Sequence, residues 1–120
     1  MSQSIYNFGY RSPRFPANFR VLLQLEDRYP TLLEARCVDI SEDGLRAECP
    51  SALEVGSIVI LIMTLPGSST SLRIKARVSN RQRDFHGVAF IFSSQKDREH
   101  VRDYVEQLRS NSAPSPTPRE

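Results

Sequence analysis

Ser71-Leu72-Arg73-Ile74-Lys75-Ala76-Arg77-Val78-Ser79-Asn80 alternates apolar and polar side chains without a break from Leu72 to Val78. A period of two marks a strand with one buried face, so Leu72, Ile74, Ala76 and Val78 turn inward while Arg73, Lys75 and Arg77 turn outward. A helix would scatter those four apolar side chains around its circumference. Just upstream, Pro66-Gly67-Ser68-Ser69 is turn chemistry and joins this strand in a hairpin to a strongly apolar one over 57–65. Downstream, a turn over 81–85 leads into Gly87-Val88-Ala89-Phe90-Ile91-Phe92, a further strand.

Working back toward the start, 19–26 reads as a strand with Val21, Leu23 and Leu25 on one face, ended by the turn Asp27-Arg28-Tyr29-Pro30. A second strand spans 31–40, with Leu33, Ala35 and Cys37 on one side, and 45–49 returns the chain after a reversal over 41–44. Gly44 in that reversal supplies either a positive φ or room for close backbone approach. After 94 the period changes. Val101, Tyr104, Val105 and Leu108 follow helical spacing behind Ser94, a suitable N-cap with Asp97 three residues on, which predicts a helix over 95–109. Six short strands and one late helix predict an all-β barrel or sandwich with a helical plug, and closure would remove exposed sheet edges. No strands alternate with helices, which excludes a doubly wound parallel sheet.

The 120 residues suffice for one domain with a real core, divided here into a flexible start over 1–9, the domain over 10–109 and a proline- and serine-rich disordered tail over 110–120. A net charge of +2 argues against binding long nucleic acid, although residues 1–20 carry Arg11, Arg14 and Arg20 and no acid. The start lacks a signal-peptide pattern, and the apolar run over 58–63 is too short to cross a bilayer, so a cytoplasmic protein without membrane insertion is expected. Cys37 and Cys49 are too few and too far apart for a zinc site. They read as buried reduced thiols, which face each other only if their strands pair that way. His86 and His100 read as surface residues. No nucleophile motif, metal spacing or phosphate-loop glycine pattern is present, so an enzyme is not expected.

The polar signals concentrate in two places. Asp39-Ile40-Ser41-Glu42-Asp43-Gly44 packs a carboxylate, a hydroxyl and a glycine between two apolar runs. Upstream, Ser12-Pro13 and Phe15-Pro16 hold Arg11 and Arg14 in an extended, exposed arm, because residues before proline avoid the helical region. A plain reading of both exists: Asp39 and Ser41 as ordinary turn residues bonding nearby backbone, and the arginines as a solvated tail.

Asp39-x-Ser41-x-x-Gly44, the arginine arm before the first strand, the Gly87-Val88-x-Phe90 strand and the closing helix resemble the PilZ domain over roughly residues 10–109. The resemblance implies a six-stranded antiparallel β-barrel with a C-terminal helix, and a bacterial receptor for the second messenger cyclic di-GMP with no other cofactor. The family pairs an R-x-x-x-R arm with [D/N]-x-S-x-x-G. The second motif matches in full, whereas the arm here is Arg11-x-x-Arg14, one residue shorter. Either Tyr10 stands at the family's first arginine or Phe15 at its second.

The implied ligand contacts are Arg11, Arg14, Asp39, Ser41 and Gly44, with Tyr10, Arg77 and Gly87 as further ones. The chemistry is consistent: an arginine fork donates to guanine O6 and N7 or to phosphate, and a carboxylate accepts from guanine N1 and N2. Tyr10 would stack on a base. The expected output is relay to an unidentified protein partner by a monomer or weak dimer, in motility or biofilm regulation. A ligand-independent adaptor on the same barrel is the alternative. A single-stranded nucleic-acid binder would need aromatics exposed on a basic face, and most aromatics here fall in apolar strands or the arm.

Overall fold

A computed structural model describes residues 12–26 and 31–112. Six strands close into an antiparallel barrel: β1 (Phe15–Leu25), β2 (Thr31–Ile40), β3 (Gly44–Glu48), β4 (Ile58–Thr64), β5 (Ser71–Gln82) and β6 (Phe85–Ile91). Around the wall the order is β1-β2-β3-β6-β5-β4, and β4 returns to β1 from Leu22↔Ile62 to Leu25↔Val59. The helix α1 (Gln95–Ser112) follows. This is the all-β, six-stranded barrel expected from the sequence.

Alternation decides what fills the barrel. Val21 and Leu23 of β1, Val59, Leu61 and Met63 of β4, and Leu72, Ile74, Ala76 and Val78 of β5 are buried together. The β4–β5 turn is built on Pro66-Gly67, with Ser68 N–H donating to Leu65 O at 3.0 Å and Gly67 at φ 87°, a conformation that a glycine adopts without Cβ strain. Ser94 caps α1 as expected: its Oγ accepts from Lys96 N–H at 3.1 Å and Asp97 N–H at 3.3 Å. The helix buries Val101, Tyr104 and Val105 and packs against β1, where Tyr104 meets the Phe19 ring edge-on at 5.8 Å between centroids.

Several boundaries differ from the sequence reading, for identifiable reasons. β1 begins at Phe15 rather than at 19, because Pro16 lies at a register break where a missing ladder donor is tolerated. β5 and β6 run to Gln82 and from Phe85, leaving a tight turn at Arg83 and Asp84 with Arg83 at φ 58°. α1 absorbs 110–112 from the expected tail, and 113–120 lie outside the described residues. His86 is not a surface residue. It is fully buried, its Nε2 accepts from Leu53 N–H at 3.1 Å, and Nδ1 has no partner among the described residues. Cys37 and Cys49 are buried and free, but the register sets Cys37 opposite Ala47, so the two thiols are not cross-strand partners.

Candidate functional site

Three register breaks interrupt the barrel ladders: between Pro16 and Phe19 on β1, between Cys37 and Asp39 on β2, and between Val78 and Asn80 on β5. Their effect is to re-aim side chains. Ala35 and Cys37 point inward on β2, so unbroken alternation would send Asp39 inward too. Val38 is an extra residue against β3, with Cys37 opposite Ala47 and Asp39 opposite Arg46, and after it Ile40 takes the inward position instead. Asp39 is thereby turned to the outside. Ser79 plays the same part on β5 and delivers Asn80 to the surface opposite Gly87.

The re-aimed residues border one cleft of about 540 Å³, lined by Ser12, Arg14, Asp39, Ser41, Asp43, Gly44, Arg46, Ser79, Asn80, Gly87, Val88 and Ala89. Asp39 is its hub. Arg14 directs both Nε and Nη2 to Asp39 Oδ1, each at 2.9 Å, and Arg46 Nε reaches Oδ2 at 2.9 Å. The carboxylate side chain keeps only 16% exposure between the two guanidinium groups. Arg46 also lies over the Phe85 ring, 5.3 Å from its centroid, which fixes the direction of its fork. Ser12 Oγ donates to Asp43 Oδ2, so the described part of the arm touches the β2–β3 hairpin at two of its acids, Asp39 and Asp43.

The hairpin is rigid for local reasons. Ser41 N–H donates to Gly44 O at 2.8 Å, while the Ser41 hydroxyl accepts from Asp43 N–H at 3.1 Å and Gly44 N–H at 3.2 Å. Asp43 O in turn accepts from Phe90 N–H at 2.8 Å, fastening the loop to β6. Ser41 is buried, and these bonds are the turn chemistry that Ser-x-x-Gly offers. Gly44 sits in the β3–β6 ladder opposite Ala89, where a Cβ would overlap the carbonyl oxygen of Val88 and stand 3.2 Å from the Ala89 Cα. Of the two roles open to this glycine, close approach is the one used. A Cβ on Gly87 would instead meet the Asn80 amide at 2.7 Å, a side chain with freedom to swing.

Arg14, Asp39, Ser41, Gly44 and Gly87 are thus brought together on the cleft. Arg77 is not. It projects from the outer face of β5 beside Ala89, one strand position from the lining. Tyr10 and Arg11 lie outside the described residues. Arg46 was missed in the sequence, although its place two residues after Gly44 puts it across from Asp39 once the hairpin is paired. Asn80 was missed because only the break at Ser79 exposes it.

Buried beneath the site, the Cys37 thiol donates to Asp39 O at 3.3 Å. Burial, with Asp39 as the lesser cause, pushes its pKa up to about 12, so it stays protonated and unreactive. Among the described residues no group of three or more His, Cys, Asp or Glu is placed to hold a metal, and no helix is long and apolar enough to cross a membrane.

The family model of the PilZ domain matches residues 10–107. Solved structures share the fold at low identity. The PilZ domain of CeSA from a cellulose-synthesizing bacterium is 17% identical with a TM-score of 0.62, over 83% of this chain and 98% of that one. The PilZ domain of YcgR from Escherichia coli, solved with c-di-GMP, is 15% identical with a TM-score of 0.66, over 86% of this chain and 93% of that one. The Bacillus subtilis inhibitor of motility, MotI/DgrA, is 17% identical with a TM-score of 0.69, over 87% of this chain but only 53% of that one. No curated protein matches the sequence.

Proposed function

The chain belongs to the PilZ domain family, and from that premise we propose that it is a non-enzymatic receptor for cyclic di-GMP that relays its state to a partner protein. The observation that carries this reading is the meeting of Arg14 and Asp39, 25 residues apart in sequence, at the mouth of a cleft backed by glycines. A guanine edge needs a carboxylate for N1 and N2 and a fork for O6 and N7, and a phosphate needs a mobile cation. The YcgR domain of the same fold was solved with this nucleotide.

The ion pairs suggest the switching step. A carboxylate offers about four lone-pair positions, and Arg14 and Arg46 already direct three N–H groups at Asp39. A guanine arriving at Asp39 replaces the Arg14 donors. The released guanidinium then turns to the ligand, and the arm with Arg11 and Tyr10 closes over it. Binding thus exchanges one internal ion pair for ligand contacts and changes the surface a partner meets. Ser41 serves by shaping the loop, Gly44 and Gly87 by keeping the cleft floor low.

The same ion pairs favour a second reading, a ligand-independent adaptor in which Asp39 is permanently satisfied by its two arginines. Isothermal titration with cyclic di-GMP separates the two. Micromolar binding, lost in Arg14→Ala and strongly weakened in Asp39→Ala with the barrel intact by circular dichroism, supports the receptor. No heat from the parent chain assigns it to the adaptor class.

A further inference from the structure

The outer wall of the barrel is divided by charge. β4, β5 and β6 contain no Asp or Glu at all, whereas β1–β3 present Glu34, Asp39 and Glu48. On the acid-free side the register sets out a regular pattern. Arg77 lies between Ile58 and Ala89, Lys75 between Ile60 and Ile91, and Arg73 beside Ile62. A barrel wall facing only water would carry polar residues at these β4 positions. Here three isoleucines are half-buried beside the cationic row, with Gln24 and Leu22 of β1 on the other side of Ile60 and Ile62, and Ile91 is 38% exposed. Among the described residues the cations are also unmatched: Arg73 donates to the neutral Gln24, at 3.3 Å, and neither it nor Lys75 or Arg77 forms an ion pair.

We propose that this outer face of β4, β5 and β6 is the docking surface for a protein partner whose own surface interleaves carboxylates with aliphatic side chains. The complementarity is specific. One aliphatic contact accompanies each cation, which phosphate-rich partners would leave unused, and the row has no aromatic platform for stacking bases and no aromatic anchor for a lipid interface. Position gives the surface a role in the proposed receptor, and that role rests on the receptor reading. Ala89 lines the cleft and is also the cross-strand neighbour of Arg77, so a nucleotide filling the cleft would border the docking face.

The test uses the full chain with labelled isoleucine methyl groups, observed by NMR. The probe is a synthetic helical peptide of Leu and Glu, compared with the same peptide carrying Gln for Glu. The acidic peptide is expected to shift the methyls of Ile58, Ile60, Ile62 and Ile91, and the Gln peptide to bind at least about tenfold more weakly. An Arg73→Glu, Lys75→Glu double variant should reduce acidic-peptide binding by a similar factor and leave its melting temperature and cyclic di-GMP titration unchanged. Absence of methyl shifts up to millimolar peptide, equal shifts with the Gln peptide, or stronger shifts from phosphatidylglycerol vesicles or oligothymidylate would overturn the proposal. Cyclic di-GMP is titrated separately and followed at Gly44 and Gly87. Failure there with peptide binding intact removes the receptor and leaves the docking face standing.

Discussion

Arginines line both the cleft and the β5 face, yet they are held in opposite ways. Arg14 and Arg46 each sit 2.9 Å from a carboxylate oxygen of Asp39, whereas the row Arg73, Lys75 and Arg77 meets no acid among the described residues. A paired guanidinium is pre-aimed, but its partner must be displaced before anything else can bind. An unpaired one is free at once and selects little by itself. The lesson is a division of labour: paired charge suits a small ligand recognised by geometry, and unpaired charge suits a broad surface recognised by complementarity.

The comparison can be broken or sharpened by substitution. The largest effect is expected at Gly44, where the cleft depends on backbone rather than charge. Gly44→Val must part β3 from β6, because the added carbons overlap the Val88 carbonyl. It should destabilise the chain by roughly 1–3 kcal/mol or more, read as a shift of the urea midpoint. Gly87→Ala should cost clearly less, since the Asn80 amide can rotate away.

Next comes Asp39→Ala, which turns the paired region into an unpaired one. Nucleotide affinity should drop by about tenfold to a hundredfold in titration calorimetry. Folding stability should change by under about 1 kcal/mol, because Arg14 and Arg46 are 39% and 49% exposed and their pairs are screened by water. A large stability loss without an affinity loss would show that the pairs serve the fold and not a ligand.

A third test is pH. Burial lowers the pKa of His86 from its ordinary 6.5. The unfolded chain therefore takes up the proton first, and stability that is complete above about 6.5 is lost as pH falls toward the folded-state value. Urea midpoints measured from pH 8 downward should show this slope in the parent chain and a flatter one in His86→Gln. The smallest effect belongs to the open face. Lys75→Glu should move stability by less than about 0.5 kcal/mol, as a surface change with no ion-pair partner among the described residues to lose. A greater loss would mean that the row is structurally engaged.

Much of the barrel was readable from pattern alone. β5 announces itself by its period, β2 ends where the turn residues begin, and the helix shows its cap and stripe. The Asp39, Ser41 and Gly44 motif marked the cleft, and Arg14 was placed at it. What escaped depends on register. Val38 and Ser79 look like ordinary strand residues, and only pairing with neighbours reveals them as extra. Arg46 needs that pairing to be seen opposite Asp39. His86 reads as polar at a strand start, but the β5 break lets His86, Gly87 and Val88 all be buried in succession. Phe15 and Pro16 read as part of an exposed arm ahead of a strand at 19, and the break beside Pro16 lets β1 take them in.

The extra residue at Val38 acts as an inversion point for β2. Were Val38 drawn into the ladder like its neighbours, simple alternation would turn the Asp39 carboxylate inward toward Cys37 and Leu45 and push Ile40 out to water. Whether this chain has a site at all hangs on that one residue staying unpaired: a change that draws Val38 into register should cost the cleft more than an exchange of one exposed side chain for another.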